Sequence, residues 1–280
     1  MLNIGQYNTL TIKRSVSFGF YLETESEWGD ILFPIKYAEK DAKIGDQVHV
    51  FVYPDSEDRL VATTEKPFAV VGEFACLEVS QTTPIGAFMK WGLLKDLFVP
   101  LSEQHHLMEI GEFHVVRICL DDRTNRLIGV GKIGAFLNKT DIKLKEGQAV
   151  ELLPYEETTL GIMCIIDNEY AGMLYKNEVF QELEVGEKIK GYVKKVREDN
   201  KIDLSIRVLG FDGIRDQADI ILDKLAANNG FLPFNDSSSS EEISKIFQMS
   251  KKTFKKLIGN LFRRKRIKIT EKGIELFVRE

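Results

Sequence analysis

Residues 129–134 form a glycine pattern, Gly-Val-Gly-Lys-Ile-Gly, of the G-x-G-x-x-G kind that can bind the phosphates of a dinucleotide. Such a site requires a strand before the glycines and a helix after them, within a βαβ unit. The segment that follows, 135–147, is short and contains Asn138 and Asp141, and the glycines align with an ordinary strand at 62–64. We therefore do not expect a dinucleotide site here.

Other residues that could catalyse a reaction or bind a metal have no supporting arrangement. The histidines show no metal-ligand spacing, the cysteines lie far apart, and no nucleophile has a base placed beside it; the histidines and cysteines are His49, His105, His106, His114, Cys76, Cys119 and Cys164. We predict that the cysteines are small core residues. Glu23, Glu25 and Glu27 are interpreted as solvated turn residues. The sequence thus indicates a protein that is not an enzyme, with no cofactor and no metal.

Positive charge is concentrated near the C-terminal end. Residues 241–280 carry 12 Lys and Arg against 5 Asp and Glu, whereas the first 240 residues carry 26 against 38. The candidates for phosphate binding in one predicted helix are Lys251, Lys252, Lys255, Lys256, Arg263 and Arg264. A phosphate-binding surface is favoured, and the alternative is a solubilising face on a domain that contacts only protein. Asn, Gln and Arg are nearly absent from the start of this helix, so we do not expect readout of base edges.

The elements around these cations predict a winged helix-turn-helix. An apolar period near 3.6 between Ile214 and Leu225 indicates an amphipathic helix, and hydroxyl side chains before Glu241 and Glu242 indicate the cap of another. The predicted elements are a first helix that ends at 228–230, a capped helix over about 239–247, a helix over about 250–264 and a hairpin over 267–277. The helix over 250–264 is the one that can enter a groove of a nucleic acid.

Length and composition set the broad class. With 280 residues and 44% hydrophobic content, the chain can build ordinary packed cores in about two domains, or more if they are small. Residues 1–20 lack the features of a signal peptide, and no apolar run approaches the roughly 20 residues that span a bilayer. We expect a soluble, cytoplasmic protein with no membrane partner.

Three copies of one pattern occupy most of the chain. Segments 43–66, 109–132 and 184–207 align without a gap, each with a glycine at its third position, and each is preceded by a second glycine-containing segment. The glycine pairs are Gly19 and Gly45, Gly86 and Gly111, and Gly161 and Gly186, which lie 26, 25 and 25 residues apart. This constant separation indicates three copies of about 70 residues.

Each copy contains short apolar and β-branched segments separated by polar turn clusters. About five strands in such a length predict a small closed barrel, and the glycine inside a strand suggests the bulge or sharp coil that a small barrel needs to close. We expect each barrel to bury its own core, so that the barrels form an array of independent beads. The predicted fold is mainly β: three tandem five-stranded barrels, then a winged helix.

The pattern in copy one, Phe18-Gly19-Phe20-Tyr21-Leu22 followed by residues 29–34 and 44–48, resembles the S1 RNA-binding domain, an oligonucleotide-binding (OB) barrel. Residues 201–207 are close to the closing strand of that family. The whole chain, including the phrase MSKKTFKKLIGNLF at 249–262, is similar to the conserved virulence factor B family. That resemblance implies RNA binding linked to post-transcriptional control, with no catalytic residues.

The S1 resemblance also implies site residues, since aromatic rings on such a barrel stack bases while nearby cations hold phosphates. In copy one these are Phe18 and Tyr21, with Lys36 and either Lys13 or Arg14; in copy two they are Phe88 and Lys90, with Trp91 close by. Copy three has Leu160 and Met163 at the ring positions but a basic hairpin that includes Lys190, Lys194, Lys195 and Arg207. The alternatives are that the rings are barrel-core residues and that the hairpin is a solvated face.

The predicted domains are barrels at 1–66, 67–138 and 139–210 and a winged helix at 211–280. The favoured function is binding of single-stranded RNA as a post-transcriptional regulator, with the winged helix adding contacts. One alternative is a DNA-binding regulator in which the winged helix reads duplex and the barrels contact protein. A scaffold that binds no nucleic acid is a third possibility, and the sequence does not predict an oligomeric state.

Overall fold

The computed structural model describes residues 2–176, 183–206 and 211–277, with the side chains of 211–217 outside that description. The chain divides into two compact units, Met1–Phe136 and Leu137–Glu280. The first unit holds two closed five-stranded barrels, and the second holds a third barrel and a small helical region. The predicted fold class is confirmed. The individual domain boundaries stay predictions.

Barrel 1 closes in the order β1-β2-β3-β5-β4. Its strands are β1 (Gln6–Val16), β2 (Gly19–Glu23), β3 (Ile31–Pro34), β4 (Gln47–Pro54) and β5 (Leu60–Thr63), with a short 3₁₀ helix at Ile35–Tyr37. All neighbouring strands are antiparallel except β3 and β5, which are parallel through Leu32 and Val61. This is the strand order of an OB barrel.

Barrels 2 and 3 repeat that order. Barrel 2 contains β6 (Phe74–Thr83), β7 (Gly86–Lys90), β8 (Leu97–Pro100), β9 (Phe113–Leu120) and β10 (Leu127–Val130). Barrel 3 contains β11 (Ala149–Glu157), β12 (Gly161–Ile166), β13 (Tyr170–Tyr175), β14 (Ile189–Val196) and β15 (Ile202–Ser205). The glycines of 129–134 end β10 and enter a 3₁₀ turn, Ile133–Ala135, so they lie in a barrel and not in a βαβ unit.

In each barrel, a glycine in the turn before the fourth strand is hydrogen-bonded to a bulge in the first strand. The first strand of every barrel shifts register at one place, after Ile12, Val79 and Pro154 respectively. The carbonyl of each of these residues accepts a hydrogen bond from the amide of the turn glycine: Gly45 to Ile12 at 2.8 Å, Gly111 to Val79 at 2.9 Å and Gly186 to Pro154 at 2.8 Å. The constant glycine spacing in the sequence therefore reflects one repeated tertiary contact.

The glycine that begins β2, β7 and β12 permits close approach of the next strand. A β-carbon on Gly19 would lie 2.3 Å from the carbonyl oxygen of Phe33, and one on Gly161 would lie 2.0 Å from that of Leu174. Real side chains do not approach so closely, so the position requires glycine. The bulge expected at this glycine lies instead on the neighbouring first strand.

Barrels 1 and 2 share a core, which corrects the expectation of independent beads. Phe51 and Tyr53 of β4 belong to the same buried cluster as the core of barrel 2. The Phe51 ring meets the Trp91 ring edge-on at 5.9 Å between centroids. Lys95 Nζ donates to the carbonyls of Pro54 and Asp55, at 3.1 and 2.7 Å, and its burial there lowers the pKa of Lys95. The two barrels form one body because apolar residues face outward where they meet.

The C-terminal region has the winged arrangement that the sequence predicts. Its elements are α1 (Phe211–Ala227), β16 (Phe231–Leu232), α2 (Ser240–Phe247), α3 (Lys251–Arg263), β17 (Ile267–Thr270) and β18 (Gly273–Leu276). Ser239 and Glu242 form a capping box at α2, and Ser250 caps α3 by accepting from the Thr253 amide. The strand β18 pairs with both β16 and β17, so the wing is a three-stranded sheet.

Candidate nucleic-acid interface

A groove of about 410 Å³ on barrel 1 is lined by three aromatic side chains. Phe18, in the turn before β2, is 55% exposed, and Trp28, in the loop between β2 and β3, is 42% exposed. Tyr21 on β2 is half-buried and pairs with Leu32 of β3, and Leu60 of the next strand, β5, lines the same groove. The structure thus brings Phe18 and Tyr21 together, as the sequence predicted. Exposed rings in a concave site can stack on planar ligands.

Trp28 was not among the sequence candidates. A signal was present, because Trp-Gly occurs in the same loop of copy one, Trp28-Gly29, and of copy two, Trp91-Gly92. The two tryptophans differ in their exposure to solvent. Trp91 is only 2% exposed, donates from Nε1 to the Lys95 carbonyl at 2.6 Å and packs against barrel 1. Trp91, which the sequence places close to Phe88 and Lys90, is therefore buried by the contact between the barrels.

The charges around the groove of barrel 1 are largely paired. Arg14 lies over the Tyr21 ring at 3.6 Å from its centroid, which places a cation on one face of the ring. Lys13 pairs with Asp30 at 3.1 Å, and this hydrogen bond raises the pKa of Lys13. Arg59 pairs with Asp55 at 2.7 Å. The groove is therefore aromatic with little unbalanced positive charge.

Lys36, the remaining candidate of barrel 1, lies in the 3₁₀ helix outside the residues that line the groove. Its Nζ is 4.3 Å from the centroid of the Tyr37 ring, and the interaction with Tyr37 raises the pKa of Lys36. Tyr37 in turn donates to Glu65 at 3.0 Å. The structure does not bring Lys36 together with Phe18 and Tyr21.

The candidates of barrel 2 are engaged within the barrel. Phe88 is half-buried against Phe98, with ring centroids 5.1 Å apart. Lys90 pairs with Glu78 at 2.8 Å. Ile85, at the first ring position, is 71% exposed but aliphatic. Barrel 2 therefore offers a weaker stacking surface than barrel 1.

In barrel 3 the basic hairpin is solvated and partly neutralised. Lys190, Lys194 and Lys195 are exposed on β14, and Lys190 Nζ lies 5.9 Å from the Tyr192 ring centroid. Three neighbouring cations pair with carboxylates: Lys188 with Glu151 at 2.7 Å, Arg197 with Asp203 at 2.9 Å and Lys201 with Asp199 at 3.1 Å. Arg207, which the sequence groups with them, lies outside the described residues.

The cations of α3 differ from those of the barrels. Lys252, Lys255, Lys256, Arg263 and Arg264 are exposed, while Lys251 is half-buried and donates to the Ser237 carbonyl at 3.3 Å. The buried side of the helix is formed by Phe254, Leu257, Ile258 and Leu261, as predicted. Within the parts of the chain that the structure describes, none of the six pairs with a carboxylate. Within the described residues, exposed cations without a carboxylate partner are thus grouped on the outer face of α3.

The structure gives no support to a metal or membrane site in the residues it describes. No group of three or more His, Cys, Asp or Glu side chains there could hold a metal ion. No helix in the described ranges combines the length and the hydropathy that a bilayer crossing requires. Cys164 is buried, as predicted, and its burial raises the pKa of the thiol to about 12, whereas Cys76 and Cys119 are half-buried.

Two domain families match the chain. Residues 4–65, which contain barrel 1, match the S1 domain, and residues 219–276 match the CvfB-like winged helix domain. Both are nucleic-acid-binding types of domain and are not catalytic types. The domain at each end of the chain is thereby known.

Related proteins match over most of the chain. The "Uncharacterized protein YitL" of Bacillus subtilis is 28% identical over 270 residues, which is 92% of this chain and 89% of that protein. The "Conserved virulence factor B" of Staphylococcus saprophyticus is 26% identical over 249 residues, 84% of this chain and 83% of that protein. A solved "multidomain protein with nucleic acid binding domains" from Streptococcus pneumoniae is 23% identical and covers 98% of both chains, with a TM-score of 0.45. Over most of its length the chain is similar to the conserved virulence factor B proteins, and its C-terminal region matches the CvfB-like winged helix domain.

Proposed function

We propose that the protein binds single-stranded RNA and acts as a post-transcriptional regulator. The observation that carries the proposal is the groove of barrel 1, where Phe18, Tyr21 and Trp28 lie together with two of the rings well exposed. Bases within a duplex are already stacked on each other, whereas single-stranded bases are free to stack on protein rings. An aromatic groove therefore favours a single strand over a duplex.

The winged helix adds the electrostatic part of binding. Each base that stacks on a ring contributes about 1–3 kcal/mol, and each neutralised phosphate adds a salt-dependent contribution. Lys13 and Arg59 beside the barrel 1 groove are paired with carboxylates, so they supply little of the second contribution. The unpaired cations of α3, including Lys252, Lys255 and Lys256, are suited to supply it.

A second candidate function is binding of duplex DNA through the winged helix, with the barrels as protein-interaction modules. It is favoured by the same cationic helix, since the second helix of a helix-turn-helix can enter the major groove. Against it stands the composition of α3: it carries lysines and no glutamine, and its single asparagine, Asn260, is bonded to Arg263 at 2.5 Å. Lysines hold phosphates of any sequence, so this surface does not favour specific base readout.

The test is fluorescence anisotropy with single-stranded RNA, single-stranded DNA and duplex DNA of equal length, across a salt series. The double variant Phe18→Ala/Tyr21→Ala is compared with wild type and with Phe113→Ala, which removes another exposed ring, on barrel 2. We expect RNA to bind best and the double variant to weaken it at least tenfold with an unchanged salt slope, because stacking releases no counterions. Preference for duplex DNA, with the double variant equal to wild type, would establish the second candidate instead.

A further inference from the structure

The outer face of α3 has a gap in its side chains at Gly259. This glycine lies in the interior of the helix and is half-buried, and a β-carbon built on it would meet no described atom within 4 Å outside the backbone of its own helix. Its backbone is helical, so neither a turn nor a close contact in the protein requires glycine. Glycine is a much poorer helix former than alanine. No contact among the described residues therefore accounts for glycine at this position.

The residues around this gap include cations that the proposed function assigns to phosphate binding. Neighbours on a helix surface lie three and four positions apart, and for Gly259 these are Lys255, Lys256, Phe262 and Arg263. All four are exposed, Phe262 by 53%. Side chains on a helix lean toward its N-terminus, so Phe262 and Arg263 lean back over the glycine. The open space at Gly259 is thus bordered by Lys255 and Lys256 on its N-terminal side and by Phe262 and Arg263 on its C-terminal side, and we call this space the depression at Gly259.

Arg263 is already held at the edge of this depression. Its Nε donates to the Gly259 carbonyl at 3.3 Å, and its Nη2 donates to Asn260 Oδ1 at 2.5 Å. A guanidinium fixed in this way loses less side-chain freedom when it binds an anion. The surrounding sequence excludes competing carboxylates, because residues 249–270 contain nine Lys and Arg and no Asp or Glu.

We propose that the depression at Gly259 seats one phosphodiester unit of bound RNA, with the phosphate between the lysines and Arg263 and the adjoining sugar or base against Phe262. The absence of a side chain lets the strand approach the helix backbone. The inference rests on the proposed function, since it takes the ligand to be RNA. It adds a binding site on α3 that is separate from the aromatic groove and does not involve base-edge readout.

Two substitutions separate close approach from simple charge attraction. Gly259→Ala adds one methyl group; we expect it to raise the midpoint of thermal unfolding by about 4 °C, since it improves helix propensity, and to weaken RNA binding about fivefold. Gly259→Lys adds a cation to a cationic face; we expect it also to weaken binding. If charge alone attracts RNA, Gly259→Lys binds more tightly than wild type, and the proposal is overturned.

The experiment uses the full chain and a labelled single-stranded RNA of about 20 nucleotides, longer than the roughly 4–16 that one OB barrel covers. Gly134→Ala is the matched control, because a β-carbon there also meets nothing within 4 Å and the position lies in barrel 2; its affinity should equal wild type. The double variant Lys255→Ala/Lys256→Ala should lower the log–log salt slope by about 1.4.

The outcome also distinguishes this inference from the proposed function. If Phe18→Ala/Tyr21→Ala weakens RNA binding while both Gly259 variants bind as wild type, RNA binding stands and the depression is not a contact. If the Gly259 variants lose affinity and the ring variants do not, the depression binds RNA and the groove of barrel 1 does not. Wild-type affinity in all of these variants would overturn both.

Discussion

The two tryptophans of the chain allow one side-chain type to be compared in two roles. Trp28 and Trp91 lie in matching loops of barrels 1 and 2, yet Trp28 is 42% exposed in the groove and Trp91 is 2% exposed between the barrels. We predict that Trp91→Ala chiefly reduces stability. Trp28→Ala should chiefly reduce RNA binding.

The burial and contacts of each ring set the expected sizes. Trp91 is packed on all sides and loses both its contact with Phe51 and its hydrogen bond to the Lys95 carbonyl, so its removal should cost about 3–5 kcal/mol of unfolding free energy. Trp28 belongs to no buried core cluster in the described residues, and we expect a cost below about 1.5 kcal/mol. Loss of one stacking platform should weaken RNA binding by about 1–3 kcal/mol, or roughly 5- to 150-fold.

Urea unfolding followed by circular dichroism measures the first effect, and anisotropy with single-stranded RNA measures the second. With a urea dependence of about 2 kcal/mol per molar, Trp91→Ala should lower the midpoint by about 2 M. Trp28→Phe is the control for Trp28→Ala, since it keeps a ring that can stack and should retain most of the affinity. Equal losses of stability in the two alanine variants, or undiminished RNA binding by Trp28→Ala, would refute the reasoning.

Two further predictions concern the helix cap and alkaline pH. Ser239→Ala removes the capping box of α2 and should cost about 1 kcal/mol in urea unfolding, while Ser240→Ala, one residue into the helix, should cost nothing measurable. Burial raises the pKa of Cys164, Tyr53 and Tyr155 to about 12. Because these groups ionise near 8.5 and 10 when unfolded, the native state binds more protons in that window, and the urea midpoint should fall from pH 8 to pH 10.5. A constant midpoint would contradict the assigned burial.

The fold of each barrel and of the winged helix could be predicted from the sequence, because the residues that show a local pattern also make the contacts that define these elements. The repeat of Gly45, Gly111 and Gly186 identified three copies, and each glycine donates to a bulge carbonyl that defines the barrel. The caps of α2 and α3 could also be predicted from the sequence, because the Ser239 and Ser250 side chains each accept a hydrogen bond from a backbone amide three residues later. Such contacts are determined by a few neighbouring residues.

The contact between barrels 1 and 2 could not be read in the same way. It depends on which apolar residues face outward from a closed barrel, and alternation along a strand does not distinguish an outward face that meets water from one that meets another barrel. The sequence therefore placed Trp91 beside the candidate site residues Phe88 and Lys90, although it lies between the barrels. The same limitation hid Trp28, whose exposure depends on the conformation of its loop.

The separation of rings from free charge has a consequence for binding under different salt conditions. Rings in barrel 1 contribute affinity that salt hardly changes, whereas the unpaired cations of α3 contribute affinity that falls by about 0.7 log units per phosphate for each tenfold rise in salt. Removal of the rings should therefore weaken binding by the same factor at every salt concentration. Removal of Lys255 and Lys256 should matter most at low salt. The proposed function thus reconciles a net charge of −5 with a polyanionic ligand, because exposed cations of α3 have no carboxylate partner in the described residues while the barrel groove relies on stacking.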